Sequence, residues 1–523
     1  MPHPQLPERP DLEQLKRQAK ELLRSAKARQ SEALARFRTL PAFTNHGDDE
    51  KLAAAVALHD AQSVVARDHG FPSWTALAER VEEMTLQFDA AVVQFVEAAT
   101  EVQPARAERL LQLFPGIGSA SFHTALLLGD AKEVERRVAE RPSLATEAGG
   151  PREWEPILYL CHTSLDFGAA TRREGLVSCA RHLLAHGADP NARYPWLHHG
   201  VRRAVLWGAV CVTRHLPLAR LLLERGADPN DGVTFPLAAS GGDLDSLELL
   251  HAHGANVDQP WATDGATTLY AILNWAETPT GVRWLLEHGA DPDPVFASNG
   301  ETPLHVVARR WDAELCDLLV RRGAAIERRR SDGRTPYAVA ELAGNDGVAR
   351  YLAEHGASTE LSNIDRLVAA CSRGNRAAAE AMIAADPELA SQIGPEHYAA
   401  LYRAAERGDT RALETMLACG FDPNHPDDEI GKTPLHAAAH EGRPESVRLL
   451  LAHGASVSVR DREFHGQPLV WAADGLRSHA PDHRDYAQVA RLLLDAGSPV
   501  EWQTGEEPAE EIVQIIQGWQ GIR

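Results

Sequence analysis

The chain is 523 residues long, too long for one compact core, so several domains or an extended array are expected. Hydrophobic residues make up 44% and charged residues 24%, the balance of a folded soluble protein and not of a disordered one. A formal charge of −21 argues against sequence-independent binding to nucleic acid or to an anionic membrane, since both need a basic footprint.

In chain order, the first region expected is an N-terminal helical leader or cap over residues 1–86. Asp11 with Gln14 reads as a capping box, and Leu12, Leu15, Ala19, Leu22 and Leu23 trace one helical stripe. A second helix is predicted from Lys51 to about Asp68, stopping at Gly70, and a third from Ser73 with Trp74, Leu77 and Val81 on one face. Residues 87–118 hold a connecting helix pair at 88–114, possible as a degenerate repeat. Met1 to Leu12 lacks the basic-then-apolar order of a signal peptide, and no run approaches 18 apolar residues. Cys161, Cys179, Cys211, Cys316, Cys371 and Cys419 lie far apart without a C-x-x-C pair, as reduced thiols do. A cytoplasmic protein is expected.

From residue 119 to 500 the sequence repeats itself. Glycines at a helix end recur at Gly187, Gly226, Gly254, Gly289, Gly323, Gly356, Gly420, Gly454 and Gly497, with separations of 39, 28, 35, 34, 33, 64, 34 and 43. The gap of 64 between Gly356 and Gly420 is two units of 32, with Ala385-Asp386-Pro387 as a degenerate middle marker. Thr302-Pro303-Leu304-His305 and Thr433-Pro434-Leu435-His436 open two units, and Thr335-Pro336-Tyr337, Phe235-Pro236-Leu237 and Gln467-Pro468-Leu469 are weaker copies. Thr caps an inner helix, Pro occupies a first turn that needs no amide hydrogen, and Leu enters the core. An outer helix follows and ends at a glycine in the left-handed conformation. Asp-Pro-Asn at 189–191, 228–230 and 422–424 then supplies the turn of a projecting hairpin. About eleven such units are counted, and an amphipathic helix at Glu507 to Trp519, within 501–523, is suited to cap the far end.

A period near 33 with the T-P-L-H signature resembles the ankyrin repeat. The chain resembles bacterial ankyrin-repeat domain-containing proteins, and Arg9–Lys16 with Asp60–Gln62 and Gly70–Trp74 look like a leader found ahead of such arrays. The resemblance implies an all-α solenoid of helix-turn-helix units with short β-hairpin connections. No unit of such an array buries its apolar face alone, so stability comes from stacking.

The expected function is a scaffold or adaptor that binds a protein on the concave surface of hairpins and inner helices. No cofactor, metal site or catalytic residue is assigned, and the chain is expected to be a monomer and not an enzyme. His305 and His436 belong to the repeat signature, where the ring bonds nearby backbone; the histidines at outer-helix ends (His186, His253, His288, His355, His453) are repeat positions too. No H-E-x-x-H, G-x-S-x-G or G-x-x-x-x-G-K motif is present.

Four features stand out as places to bind. An 11-residue insertion between Glu155 and Gly187 carries His162 and Asp166; a 9-residue insertion between Gln467 and Gly497 carries Asp474, His479, Asp482, His483 and Asp485, metal-ligand types in no known spacing. Arg328, Arg329 and Arg330 sit on a hairpin, either solvated or a docking point for an acidic partner. Of Trp154, Trp196, Trp207, Trp261, Trp275 and Trp311, the hairpin residues Trp196 and Trp261 are expected to be exposed anchors. An alternative reading places a small-molecule or enzymatic site in the concave groove of the early repeats, built from His162, Asp166, Trp196 and Trp207.

Overall fold

The computed structural model describes residues 6–7, 9–40, 43–44, 47–101, 103–165, 170–195, 202–262, 265–276, 278–427, 430–478, 485–500 and 512. The N-terminal region packs helices Leu12–Lys27, Ser31–Phe37, Asp49–Ala55, Leu58–Asp68 and Trp74–Thr85 around their own core of Ala19, Leu34, Phe37, Leu52, Ala61 and Leu77. Asp11 accepts from the Glu13 amide (2.8 Å) and Ser73 from the Ala76 amide (3.0 Å), so two of these helices start at side-chain caps. The single helix expected from Lys51 to Asp68 is two. Asp60 Oδ2 accepts from the Ala57 amide (2.7 Å) and starts a new helix there, while Val56 leaves helical geometry and is buried. The helix Ser31–Phe37 carries no motif that the sequence reading used.

Helices Phe88–Thr100 and Pro104–Leu113 join this cap to the array. Arg109 clamps the buried carboxylate of Glu83 with Nη2 (2.7 Å) and Nε (3.0 Å), and Arg80 lies 3.4 Å from it. The bidentate fork ties the last cap helix to the second connecting helix.

From Phe122 to Asp495 the described residues form eleven consecutive helix pairs, with the inner helices packing in succession and outer helices packing on the next outer along much of the array. The glycines ending outer helices are left-handed, Gly323 at φ 106° and Gly454 at φ 85°, so the chain reverses where a Cβ would strain it. Just before five of these glycines, His186, His253, His288, His355 and His453 each donate Nδ1–H to the carbonyl four residues back, at 2.7–2.9 Å. At His186, His288, His355 and His453 the same carbonyl also accepts the histidine's backbone amide, so the ring adds a second donor at the helix end.

The turns after them form a second ladder. Asn191, Asn230 and Asn424 donate side-chain amides to the carbonyls of Gly226, Gly254 and Gly454 in the next unit (2.9–3.0 Å). Their side-chain oxygens accept from the amides of Asp228, Asn256 and Ser456. Only one connection among the described residues is a two-stranded hairpin, Arg193–Pro195 paired antiparallel with Arg202–Ala204. The others are held by side chain–backbone turns, as where Asp189 accepts from Asn191 and Asp422 from Asn424.

Buried residues fall into a first array core from Ala91 to Ala357 and a second from Leu342 to Ile512, meeting where one connection is short. Eight residues separate the helices Asp346–Glu354 and Asn363–Ser372, against fourteen between Ala313–Arg321 and Pro336–Leu342. With that turn trimmed, Arg334 reaches across: Nη2 donates to Asp365 Oδ1 (2.7 Å) and to His397 Nε2 (2.8 Å). Burial alone would raise the Asp365 pKa, but the contacts with His397 and Arg334 outweigh it and hold the carboxyl at about 2. Of the predicted C-terminal cap helix only Ile512, which is buried, lies among the described residues.

Candidate functional site

His162 lies in an aromatic cluster between the early units. Its ring centroid is 5.0 Å from Tyr194, 5.5 Å from Trp207 and 5.7 Å from Trp154, and Trp154 stacks on Tyr194 at 4.2 Å. Arg203 sits 3.9 Å over the face of Trp207. His162 Nδ1 bonds the Leu158 carbonyl (2.9 Å), while His162 Nε2 and Trp207 Nε1 are buried without a hydrogen-bond partner. Burial pushes the His162 pKa down to about 4, so the ring is neutral near pH 7. His162 and Trp207, read from sequence as groove residues, are buried in packing instead. Their rings fill one another's surroundings and neither presents a surface to a macromolecule. Asp166 and Trp196 lie outside the described residues.

The second insertion divides in the same way, with His479, Asp482 and His483 outside the described residues. Asp485 accepts from the Gln488 amide (2.8 Å) as a helix cap, and Asp474 lies 3.5 Å from His440. Among the described residues no group of three or more metal-ligating side chains converges.

Trp261 is half-buried, not exposed as its hairpin position suggested. Its ring packs edge-to-face on Trp275 (5.3 Å) and its amide donates to the Ala266 carbonyl (2.7 Å), so the turn folds back over its own side chain. Trp275, at the end of the inner helix Thr268–Trp275, is 40% exposed and is the member of this tryptophan pair that faces solvent. Two of the hairpin arginines already have carboxylate partners: Arg328 pairs with Asp293 (2.5 Å), and Arg330 with Glu301 (3.2 Å) and Asp332 (2.5 Å). Arg329 is exposed and donates to the Gly333 carbonyl (2.8 Å).

Beside Trp275 the inner helices bring together arginines far apart in sequence. Arg309 donates to Asn274 Oδ1, and Arg310 to the carbonyls of Asn274 and Ala276 (3.1 Å to the latter). From the inner helix Tyr398–Arg407, Arg403 Nη1 and Arg407 Nη2 both donate to the Arg309 carbonyl, at 3.0 and 3.3 Å. Two units separate these helices along the chain, so the contact closes the inner-helix face into a concavity. Glu301 is the buried carboxylate beneath it, shared by Arg309 (3.3 Å), Arg330 (3.2 Å) and the Tyr270 hydroxyl (2.8 Å). Burial, then the charges of Arg309 and Arg407, push the Arg403 pKa down to about 9. Sequence reading missed Arg403 and Arg407 because 94 and 98 residues separate them from Arg309.

The signature histidines are structural. Thr302 donates its amide to His305 Nδ1 (3.2 Å), and Nε2–H donates to the Arg334 carbonyl of the next unit (3.2 Å). His436 repeats this with the Thr433 amide (3.0 Å) and the Gly466 carbonyl (3.2 Å). Each ring caps its own helix and fastens the following turn.

Residues 268–363 and 367–461 match the family described as Ankyrin repeats (3 copies), and these segments contain Trp275, Arg309, Arg310, Arg403 and Arg407. The chain is 38% identical over 101 residues to Ankyrin repeat and SOCS box protein 6 of Homo sapiens, covering 19% of this chain and 22% of that protein. It is 39% identical over 67 residues to the 2-5A-dependent ribonuclease of Mus musculus, 13% of this chain and 9% of the ribonuclease. It is 46% identical over 52 residues to Protein phosphatase 1 regulatory subunit 12A of Mus musculus, 10% of this chain and 5% of that subunit. The chain thus spans less than a quarter of the length of each of these relatives. Ankyrin repeats are commonly protein–protein interaction modules. The signature turns, the stacked helix pairs and the family match lead to one statement: this chain is an all-α solenoid that carries ankyrin repeats.

Proposed function

We propose that the chain is a scaffold or adaptor that docks a protein partner on its concave inner-helix face. The observation that carries this reading is Trp275, solvent-facing, braced by Trp261 and set beside Arg309 and Arg310. Tryptophan and arginine anchored in a well-packed surface are the side chains that most often dominate interface energy. The partner is a protein and not a nucleic acid, in keeping with the charge of −21, and no helix among the described residues is long and apolar enough to cross a membrane. We place the protein in the cytoplasm as a monomer without cofactor or catalytic role, and the leader at Arg9–Lys16 and Gly70–Trp74 supports a bacterial source. The alternative small-molecule or enzymatic site around His162 and Trp207 is the weaker reading, because those rings pack against one another where a ligand would have to sit.

The test is affinity capture from the native host by the full chain and by Trp275→Ala. Loss of an anchor of this kind costs about 2 kcal/mol or more, near a thirtyfold loss of affinity. A captured protein that binds Trp275→Ala as tightly as the parent chain overturns this placement of the surface.

A further inference from the structure

We propose that Arg309, Arg403 and Arg407 form a carboxylate-reading site for an extended acidic segment of a protein partner. The inference rests on the docking reading above and adds the chemistry of what docks. Two guanidiniums, those of Arg403 and Arg407, converge on the Arg309 carbonyl, and the Arg309 guanidinium, held by Asn274 and Glu301, lies near enough for its charge to act on Arg403. The carboxylate beneath them, Glu301, already serves Arg309, Arg330 and Tyr270. Among the described residues neither Arg403 nor Arg407 has a carboxylate within ion-pair distance, and neighbouring Glu406 pairs with Lys432 (3.4 Å).

What these two side chains touch instead is backbone. Arg403 donates Nε to the Ala399 carbonyl (3.2 Å) and Nη1 to Arg309; Arg407 donates Nη2 to Arg309. A guanidinium carries five N–H donors in a planar fork, so each retains donors in the geometry that grips a carboxylate bidentately. Burial is the main cause that lowers the Arg403 pKa, and the charges of Arg309 and Arg407 add to it against a smaller opposing effect of Glu406 and Glu301. An anion entering the cluster offsets those charges.

The rest of the molecule selects the kind of anion. A surface of net charge −21 repels a long duplex laid along it, whereas a short acidic peptide meets the field only at the cluster. Asn274 and Trp275 border the arginines, so a flanking apolar residue of the same peptide has an aromatic face to meet. Attraction of a carboxylate to the cluster is screened by salt, so low salt favours the contact at the arginines.

The probe is a fluorescein-labelled octaglutamate peptide, titrated with the full chain by fluorescence anisotropy at low and at physiological salt. Octaglutamine, inorganic phosphate and a short DNA duplex serve as comparators. The parent chain binds octaglutamate and not octaglutamine, Arg403→Gln/Arg407→Gln weakens it about tenfold or more, and its salt dependence flattens. Arg403→Lys/Arg407→Lys keeps the charge but not the fork and falls between the two. Far-UV circular dichroism shows whether the glutamine variant is folded; if it is not, the lysine variant carries the comparison. No binding of octaglutamate by the parent chain, or equal binding by a folded variant, overturns the proposal. Duplex or phosphate bound more tightly than octaglutamate, and lost in the same variants, overturns the choice of a carboxylate. Octaglutamate binding as expected while Trp275→Ala leaves partner capture unchanged removes the docking placement but not the acidic site; the converse removes only the latter.

Discussion

Acid should loosen this solenoid at its signature histidines before its carboxylates titrate. His305 is fully buried and its Nδ1 accepts the Thr302 amide, so Nε2 carries the single proton that reaches the Arg334 carbonyl. A second proton on Nδ1 would face a donor with a donor and break the cap. Burial is the main cause that holds this ring near a pKa of about 4, against 6.5 for an ordinary histidine, and His436 is held at about 4 in the same way. A folded-state pKa below the unfolded one means stability is fully present above pH 6.5 and is lost as pH falls toward 4. By pH 5 the linkage amounts to about 2 kcal/mol for each ring, an upper figure because local opening relieves part of it. The measurement is urea unfolding at pH 7.5, 6 and 5, with amide hydrogen exchange read over Pro303–Arg310 and Pro434–His440 to localise the loss. In His305→Gln/His436→Gln the parent chain's downward slope between pH 6.5 and 5 should be shallower, with a lower starting stability at pH 7.5. An identical slope in parent and variant would refute the assignment of the neutral, cap-forming tautomer.

Two further substitutions test the packing. A methyl group on Gly281 would lie 1.8 Å from the Ala239 carbonyl oxygen of the preceding unit, so Gly281→Ala should cost about 3 kcal/mol or more, read as a lowered thermal midpoint; an unchanged midpoint would mean the two helices are farther apart. Trp207→Ala should destabilise by about 3–5 kcal/mol as a core truncation, while the exposed Trp275→Ala should cost about 1 kcal/mol or less. Equal losses of thermal midpoint in the two variants would contradict the burial difference between these rings.

Periodicity was the legible part. Glycine spacing marks the left-handed ends at Gly323 and Gly454, and the T-P-L-H run places His305 and His436 at their caps, because both signals are local and recur in every unit. What the sequence could not display is side-chain placement that depends on curvature. Trp261 and Trp275 look alike in composition, yet the turn at Ala266 folds one inward and leaves the other in solvent. Arg328–Arg330 were conspicuous as a run, but Asp293, Glu301 and Asp332 neutralise two of them from other turns. Arg403 and Arg309 meet only because the short connection after Glu354 draws their helices round, and no window of sequence spans that distance. The break at Val56 escaped for the opposite reason: one cap bond from Asp60 overrides an otherwise continuous helical pattern.

The asparagine ladder has a consequence for descent. Asn191, Asn230 and Asn424 address only main-chain atoms of the unit that follows, so these bonds are blind to that unit's side chains. A gene duplicating or losing one such unit leaves the asparagine bonds chemically as they were, and only the packed side chains of the junction have to be matched anew. The Arg334–Asp365–His397 contacts and the reach of Arg403 to Arg309 obey no such indifference, since each needs particular side chains at particular separations. The aromatic cluster at 154–207 and the Gly281–Ala239 contact add further side-chain-specific junctions, so only the asparagine bonds themselves are indifferent to the neighbouring unit.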